Sequence, residues 1–369
     1  MAQGVTPTGI NPNSRINPTT ERKLMAKVVD NVLSSRTYMS RLFGQGGPFN
    51  GKTYDIPVKI TDSGLGQFFT GLELLNSSAS DTLIELSFAH TAFAQPVVNI
   101  MLESFANSGP EQTIDLDVFK LEEAVAESVQ KLGTALYQYG QSNQPAGLEY
   151  HVDDGSNSPT YGGQSRSTYT ALNSTVTPAA TNKLTLAQMG TLDDTISASG
   201  MENESPNIGV TTKTVWGLYE QLLQPQVRNN YSMMGSDVLP LRGDQIVPRK
   251  DAGATGGFTA LSYRGFPIIK DDACTSGVLY FLNERYIRWM GRDVVPGALA
   301  GVLERVRLGA RRTIEGVGAE TPPTDYGWFF QKRQVMPNQA GMIGRFYVIG
   351  QVCGWQPRRQ GKLTGITGI

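Results

Sequence analysis

Eight consecutive residues satisfy a phosphate-binding pattern. Gly46, Gly47, Pro48, Phe49, Asn50, Gly51, Lys52 and Thr53 read GxxxxGK[ST], the loop whose backbone amides and lysine cradle nucleotide phosphates. That chemistry needs a strand before the loop and a helix straight after it, so that the helix N-terminus faces the phosphates. The sequence supplies neither. A basic, arm-like segment precedes Gly46, and the alternating YDIPVKI follows Lys52 and Thr53, with Pro57 barring a helical interior. The pattern reads as a glycine-rich elbow leading into a strand.

The remaining reactive side chains are sparse. His90 and His151 are the only histidines, which leaves little material for a histidine-rich metal site or a Ser-His-Asp arrangement. His90 continues an alternating strand pattern, a structural position. His151 stands near Asp153 and Asp154, which could hold a cation weakly, in a loop composition that is usually solvated. The paired acids Glu122–Glu123, Asp193–Asp194 and Asp271–Asp272 have the residue type for glycosidic chemistry, but adjacent carboxylates on helices and turns are normally exposed faces or caps. The segment TYGGQSR, residues 160–166, reads as a flexible contact loop, and one arginine beside glycines is weak evidence for phosphate binding. Arg305, Arg307, Arg311 and Arg312 form a denser basic cluster with few aromatics among them, which favours surface or intersubunit ion pairs over nucleic-acid recognition. No catalytic residue, cofactor-binding residue or metal ligand is assigned.

The elements around these residues are clearer. Residues 1–20 carry Pro7, Pro12 and Pro18 among Thr, Asn and Gly, an arm unable to bury enough apolar surface to order itself. Leu24, Val28 and Val32 then recur at helical spacing. Tyr54, Ile56, Val58 and Ile60 alternate with polar residues, as do Ile84, Leu86 and Phe88. This predicts a long antiparallel hairpin, marginal in water unless another surface packs on it. A helix is predicted from about Asp115 to Tyr139, with Val118, Leu121, Val125, Val129, Leu132 and Leu136 on one stripe. Residues 185–223 read as helix, strand and helix, the last ending before Pro225. GWFFQKRQV and GRFYVIGQVCGW read as strands. In the stretch 258–289, Ile268–Ile269 and Val278–Leu282 flank a run of turn formers, which predicts a packed, hairpin-like unit.

Composition bounds the class. With 39% hydrophobic and 18% charged residues over 369 positions, whole-chain disorder is excluded, and 41 glycines and 20 prolines favour a β-containing fold. No apolar run is long enough to span a bilayer, and the N-terminus lacks a signal-peptide pattern, so the expected starting compartment is a cytoplasm. Cys274 and Cys353 are the only cysteines, in strand-like apolar contexts, and both are expected to be reduced. The net charge of −1 conceals asymmetry. Residues 1–50 carry a net +4 and residues 285–369 a net +8, so the stretch between them carries −13. Basic ends and an acidic middle suit copies that attract one another.

The segment YRGFPIIKDD followed by GVLYFLN resembles a signature of tailed-phage major capsid proteins of the HK97 type. GLEYHVDDGS with YGGQSRS, NIGVTTKTVWGLYEQL, and GRFYVIGQVCGWQPRRQGKLTGI are similar to further family segments in the same order. The resemblance covers most of the chain. It implies an α+β, HK97-like capsid fold divided into an N-terminal arm (1–50), an E-loop hairpin (51–98), a P domain with its spine helix (99–147), an axial A domain (148–292), and return strands of the P domain with a C-terminal segment (293–369). It also implies a non-enzymatic protein without cofactor that assembles with itself as hexamers and pentamers around double-stranded DNA. The partners it implies are a scaffolding protein, a portal and a decoration protein, with no membrane. It places the protein in the virion, assembled in the host cytoplasm. The readings left beside it are a phage tail or baseplate structural protein and a P-loop packaging enzyme.

Overall fold

A computed structural model describes residues 37–75, 78, 81–106, 116–140, 143–198, 204–233, 261–295, 302–305, 326–337 and 339–369. The expected arm, residues 1–36 with its helical stripe, and Arg307, Arg311 and Arg312 lie outside the described residues. In chain order the helices are α1 (Thr37–Gly44), α2 (Met101–Ala106), α3 (Leu116–Leu136), α4 (Leu148–His151), α5 (Leu186–Ser197) and α6 (Lys213–Met233). The strands are β1 (Gly47–Pro48), β2 (Thr53–Lys59), β3 (Leu83–Ala89), β4 (Thr91–Ile100), β5 (Thr160–Tyr161), β6 (Gln164–Ser165), β7 (Thr175–Pro178) and β8 (Ile208–Thr211). They continue with β9 (Leu261–Tyr263), β10 (Phe266–Lys270), β11 (Leu279–Leu282), β12 (Ile287–Gly291), β13 (Leu303–Arg305), β14 (Trp328–Val335), β15 (Gly341–Gly354) and β16 (Gly361–Thr364).

The longest strand organises the first sheet. β15 pairs antiparallel with β4 on one edge, and with β14 and then β12 on the other; β13 and β1 complete the sheet. The second sheet has the order β7-β16-β11-β8-β10-β9. Its central strands are buried on both faces, which accounts for a continuous apolar run rather than alternation. Tyr280 and Leu282 of β11 face a core shared with α1, α3 and the first sheet, while Leu279 and Phe281 face α5 and α6.

Helix α3 spans 21 residues, about 32 Å at 1.5 Å per residue. Leu121 and Val125 pack on Val97 and Phe346 of the first sheet, and Val129, Leu132 and Leu136 continue the stripe into the main core. Short α1 is pinned by long-range contacts. The Tyr38 N–H donates to Asp271 Oδ2 at 3.1 Å, and Arg41 makes a bidentate ion pair with the buried Glu284. Asp271, a turn former in the sequence, thus also ties α1 to the second sheet.

Two expectations need correction. The runs at 268–269 and 278–282 do not pair with each other: β8, from some sixty residues earlier, lies between them, parallel to β10 and antiparallel to β11. The hairpin in this region is instead β9–β10, closed by Arg264 (φ 44°) and Gly265 (φ 94°), the left-handed pair a two-residue turn requires. Second, α6 does not stop before Pro225 but runs on to Met233. β12 belongs to the first sheet, and β16 inserts between β7 and β11 of the second.

Candidate assembly interface

β2 and β3 form a separate two-stranded ribbon, paired from Thr53↔Ala89 to Lys59↔Leu83. Near its root one face is covered: Leu86 and Phe88 are buried with Phe49, Tyr161 and Cys353. Beyond Lys59 the chain leaves the strand and carries Phe68, Phe69, Leu72, Leu74 and Leu75, all exposed and the first, third and fourth almost completely so. A second exposed apolar surface lies at the far end of the first sheet and on α2, where Ile100, Leu102, Phe105, Val335 and Met342 face solvent. A ribbon of this kind gains little stability by itself, and contiguous apolar patches on a chain surface mark interaction sites.

The residues singled out for chemistry build the root of this ribbon. In the elbow 46–53, helix α1 precedes the glycines and strand β2 follows them, so no helix N-terminus faces the loop. Phe49 stacks on His90 with ring centroids 3.9 Å apart, and the His90 Nε2 lies 2.6 Å from the Gly51 carbonyl oxygen. His90 sits between β3 and β4, so this contact closes the ribbon where both strands leave the body. The Phe49 N–H donates to the Gly291 carbonyl at 2.8 Å.

TYGGQSR is a tight β5–β6 turn laid against the ribbon edge, not a free anion-binding loop. The Ser87 N–H donates to the Gly162 carbonyl at 2.9 Å and the Gln164 Nε2 to the Glu85 carbonyl at 3.0 Å. Gly162 has φ 54°, and a Cβ there would stand 2.9 Å from Leu86 Cβ, so glycine is required by both conformation and close approach. Arg166 is buried, donates to the carbonyls of Asp153, Leu172 and Tyr150, and lies 4.7 Å over the Tyr161 ring. Its guanidinium is a bracket for three loop segments rather than a ligand for phosphate.

His151 and Asp153 are likewise interior. Asp153 accepts from the backbone N–H groups of Gly155, Asn157 and Ser158, which fixes the loop rather than presenting a solvated cation site. The Tyr161 hydroxyl donates to the Gly354 carbonyl at 2.9 Å; its one proton being used there, His151 Nδ1, 2.9 Å from that oxygen, must be the donor in their contact. Burial, helped by the Arg166 charge, lowers the His151 pKa to about 3, so the ring stays neutral. Asp193 and Asp194 both pair with Arg264, a surface link between α5 and the β9–β10 turn. Glu149 instead receives Lys362 at 2.9 Å and the Tyr280 hydroxyl at 2.9 Å, a largely buried junction of α4 with the second sheet. Both cysteines are free and buried, and burial raises both thiol pKa values.

Sequence reasoning missed the apolar run 68–75 because it read residues 61–82 by their Gly, Ser and Asp content. The signal was present, five large hydrophobics within eight residues of a turn-rich segment. An open groove of about 490 Å³ beside α3 is lined by Phe93, Leu132, Trp289 and Val348 with Glu127 and Lys131, and by neither histidine nor cysteine. No group of His, Cys, Asp and Glu suited to a metal occurs among the described residues.

No protein-family profile and no curated protein matches the chain. Solved structures do. The capsid asymmetric unit of cyanophage A-1(L) superposes with a TM-score of 0.69 at 16% identity, covering 96% of this chain and 99% of that one. The holo-SrpI encapsulin complex from Synechococcus elongatus PCC 7942 gives 0.58 at 10% identity over 96% and 95% of the two chains. The capsid of the native GTA particle gives 0.57 at 11% identity over 94% and 95%. The chain therefore has the HK97-like α+β fold shared by these capsid and encapsulin proteins.

Proposed function

We propose that this chain is the major capsid protein of a tailed double-stranded DNA bacteriophage, a non-enzymatic subunit that assembles with itself as pentamers and hexamers into an icosahedral shell. The exposed apolar run of residues 68–75 carries the reading. Phe68, Leu72 and Leu74 alone would contribute about 1.5–3 kcal/mol each on full burial, and a neighbouring copy is the surface that a shell supplies. The fold likeness to phage capsids supports this choice over other self-associating proteins. In that reading the β2–β3 ribbon is the E-loop, α3 the spine helix, the first sheet the P domain and the second sheet the A domain. Strands β12 and β16 are then assigned with their sheets rather than by a cut at residue 292.

The packaging-enzyme alternative loses its only motivation, because strand β2 stands where a nucleotide-binding helix would have to begin. A tail or baseplate role is separated by experiment. Electron microscopy of the expressed full chain, with a co-expressed scaffolding protein where required, is expected to give closed shells. Tubes or rings would support the tail reading, and a protein that stays monomeric under every assembly condition would overturn self-assembly.

A further inference from the structure

A basic and aromatic patch lies where β12 meets the end of β15. The Trp355 N–H donates to the Tyr286 carbonyl at 3.2 Å, and their rings meet edge to face at 6.4 Å. The Arg285 guanidinium lies 6.0 Å from the Tyr286 ring centroid and that of Arg288 5.9 Å from the Trp355 centroid. Arg358 follows three residues after Trp355 in the turn Pro357–Arg359. All three arginines are exposed.

Nearby carboxylates are already engaged. Glu284 holds Arg41, Glu204 holds Arg359 and Glu149 holds Lys362. Among the described residues this leaves Arg285, Arg288 and Arg358 without a carboxylate partner, a local excess of three positive charges beside two aromatic rings. Two of the guanidiniums lie within cation–π range of a ring, and both residues are exposed. Planar forks of this kind match phosphate oxygens in a bidentate manner.

We propose that Arg285, Arg288 and Arg358 around Tyr286 and Trp355 form a binding patch for the phosphodiester backbone of nucleic acid, engaged without reading base sequence. Three exposed guanidiniums without a carboxylate of their own suit the repeating phosphates of a nucleic-acid backbone. The inference rests on the shell reading for its setting, an enclosed polymer, and on the patch for its geometry.

The test is fluorescence anisotropy of the full chain with labelled duplex and single-stranded DNA of about 30 nucleotides over about 50–200 mM salt. The variants are R285A/R288A/R358A, the charge-preserving R285K/R288K/R358K, and exposed Lys183→Ala as a control. Each neutralised phosphate contact gives a slope of about −0.9 in log affinity against log salt for duplex and about −0.7 for single strands. The triple alanine variant is expected to lose about 2.7 of the duplex slope, a roughly 40-fold smaller affinity change over that salt range. The triple lysine variant and Lys183→Ala should keep the slope. Equal loss relative to these two slopes assigns the patch to the shared backbone. Loss confined to single strands would assign it to stacking and overturn backbone binding. No binding by the wild type, an unchanged slope in the alanine variant, or normal DNA binding with failed association between copies would each overturn the proposal. Shells by microscopy with an unchanged slope would sink the patch alone, whereas patch-dependent binding with no shells would sink the shell reading alone.

Discussion

Replacing His151 by asparagine removes one titrating group from the ribbon root while keeping an amide N–H that can donate to Tyr161. In the folded chain the His151 pKa is about 3, against an ordinary value of 6.5 in the unfolded chain, because burial and then the Arg166 charge disfavour the imidazolium. Below pH 6.5 the unfolded state binds a proton that the folded state refuses. Stability therefore falls as pH drops below the unfolded value and keeps falling until the folded pKa is reached. Between about pH 7.5 and about pH 5, linkage gives a loss of about 2 kcal/mol from this one group. Urea denaturation of the unassembled full chain at both pH values, wild type against His151→Asn, isolates it, because every other titrating group is common to both proteins. The wild type should lose about 2 kcal/mol more than the variant over this interval. Equal losses would refute the buried, neutral histidine, and so would an imidazole resonance in the native protein that titrates near its ordinary value.

Arg41→Ala leaves the buried Glu284 carboxylate without its bidentate partner and should cost about 3–5 kcal/mol, while the pair replaced together by methionines should cost much less; chemical denaturation of both variants reads the difference. Gly162→Val puts a β-branched side chain at φ 54° against Leu86, and a loss of about 1–3 kcal/mol is expected from strain and overpacking. Hydrogen exchange should show the loss first at the Ser87 amide, which donates to the Gly162 carbonyl.

Local periodicity made part of this structure legible. Alternation at 54–60 and 84–88 became the β2–β3 ribbon, and the three-and-four spacing from Leu121 to Leu136 became α3. Both signals arise from neighbours in sequence that share one buried face. What was not legible depends on partners distant in sequence. The insertion of β8 between β10 and β11 leaves no local mark, since all three strands are buried on both faces and read as plain apolar runs. Pro225 looked like a terminus because helix-breaking chemistry is local, yet α6 continues past it. At the ribbon root, His151, Asp153 and Arg166 have residue types common to ligand sites. Only burial, with carbonyl and amide partners from separate loops, identifies them as brackets.

The exposed run on the ribbon is the feature most directly tied to self-assembly. Phe68→Ser, Leu72→Ser and Leu74→Ser, combined in one chain, alter fully exposed side chains and should change subunit stability by no more than about 0.5 kcal/mol each. Negative-stain electron microscopy and sedimentation of wild type and triple variant, prepared side by side, then compare assembly alone. Closed shells from the wild type and folded, unassembled subunits from the variant are the predicted result; shells formed equally well by both would contradict it.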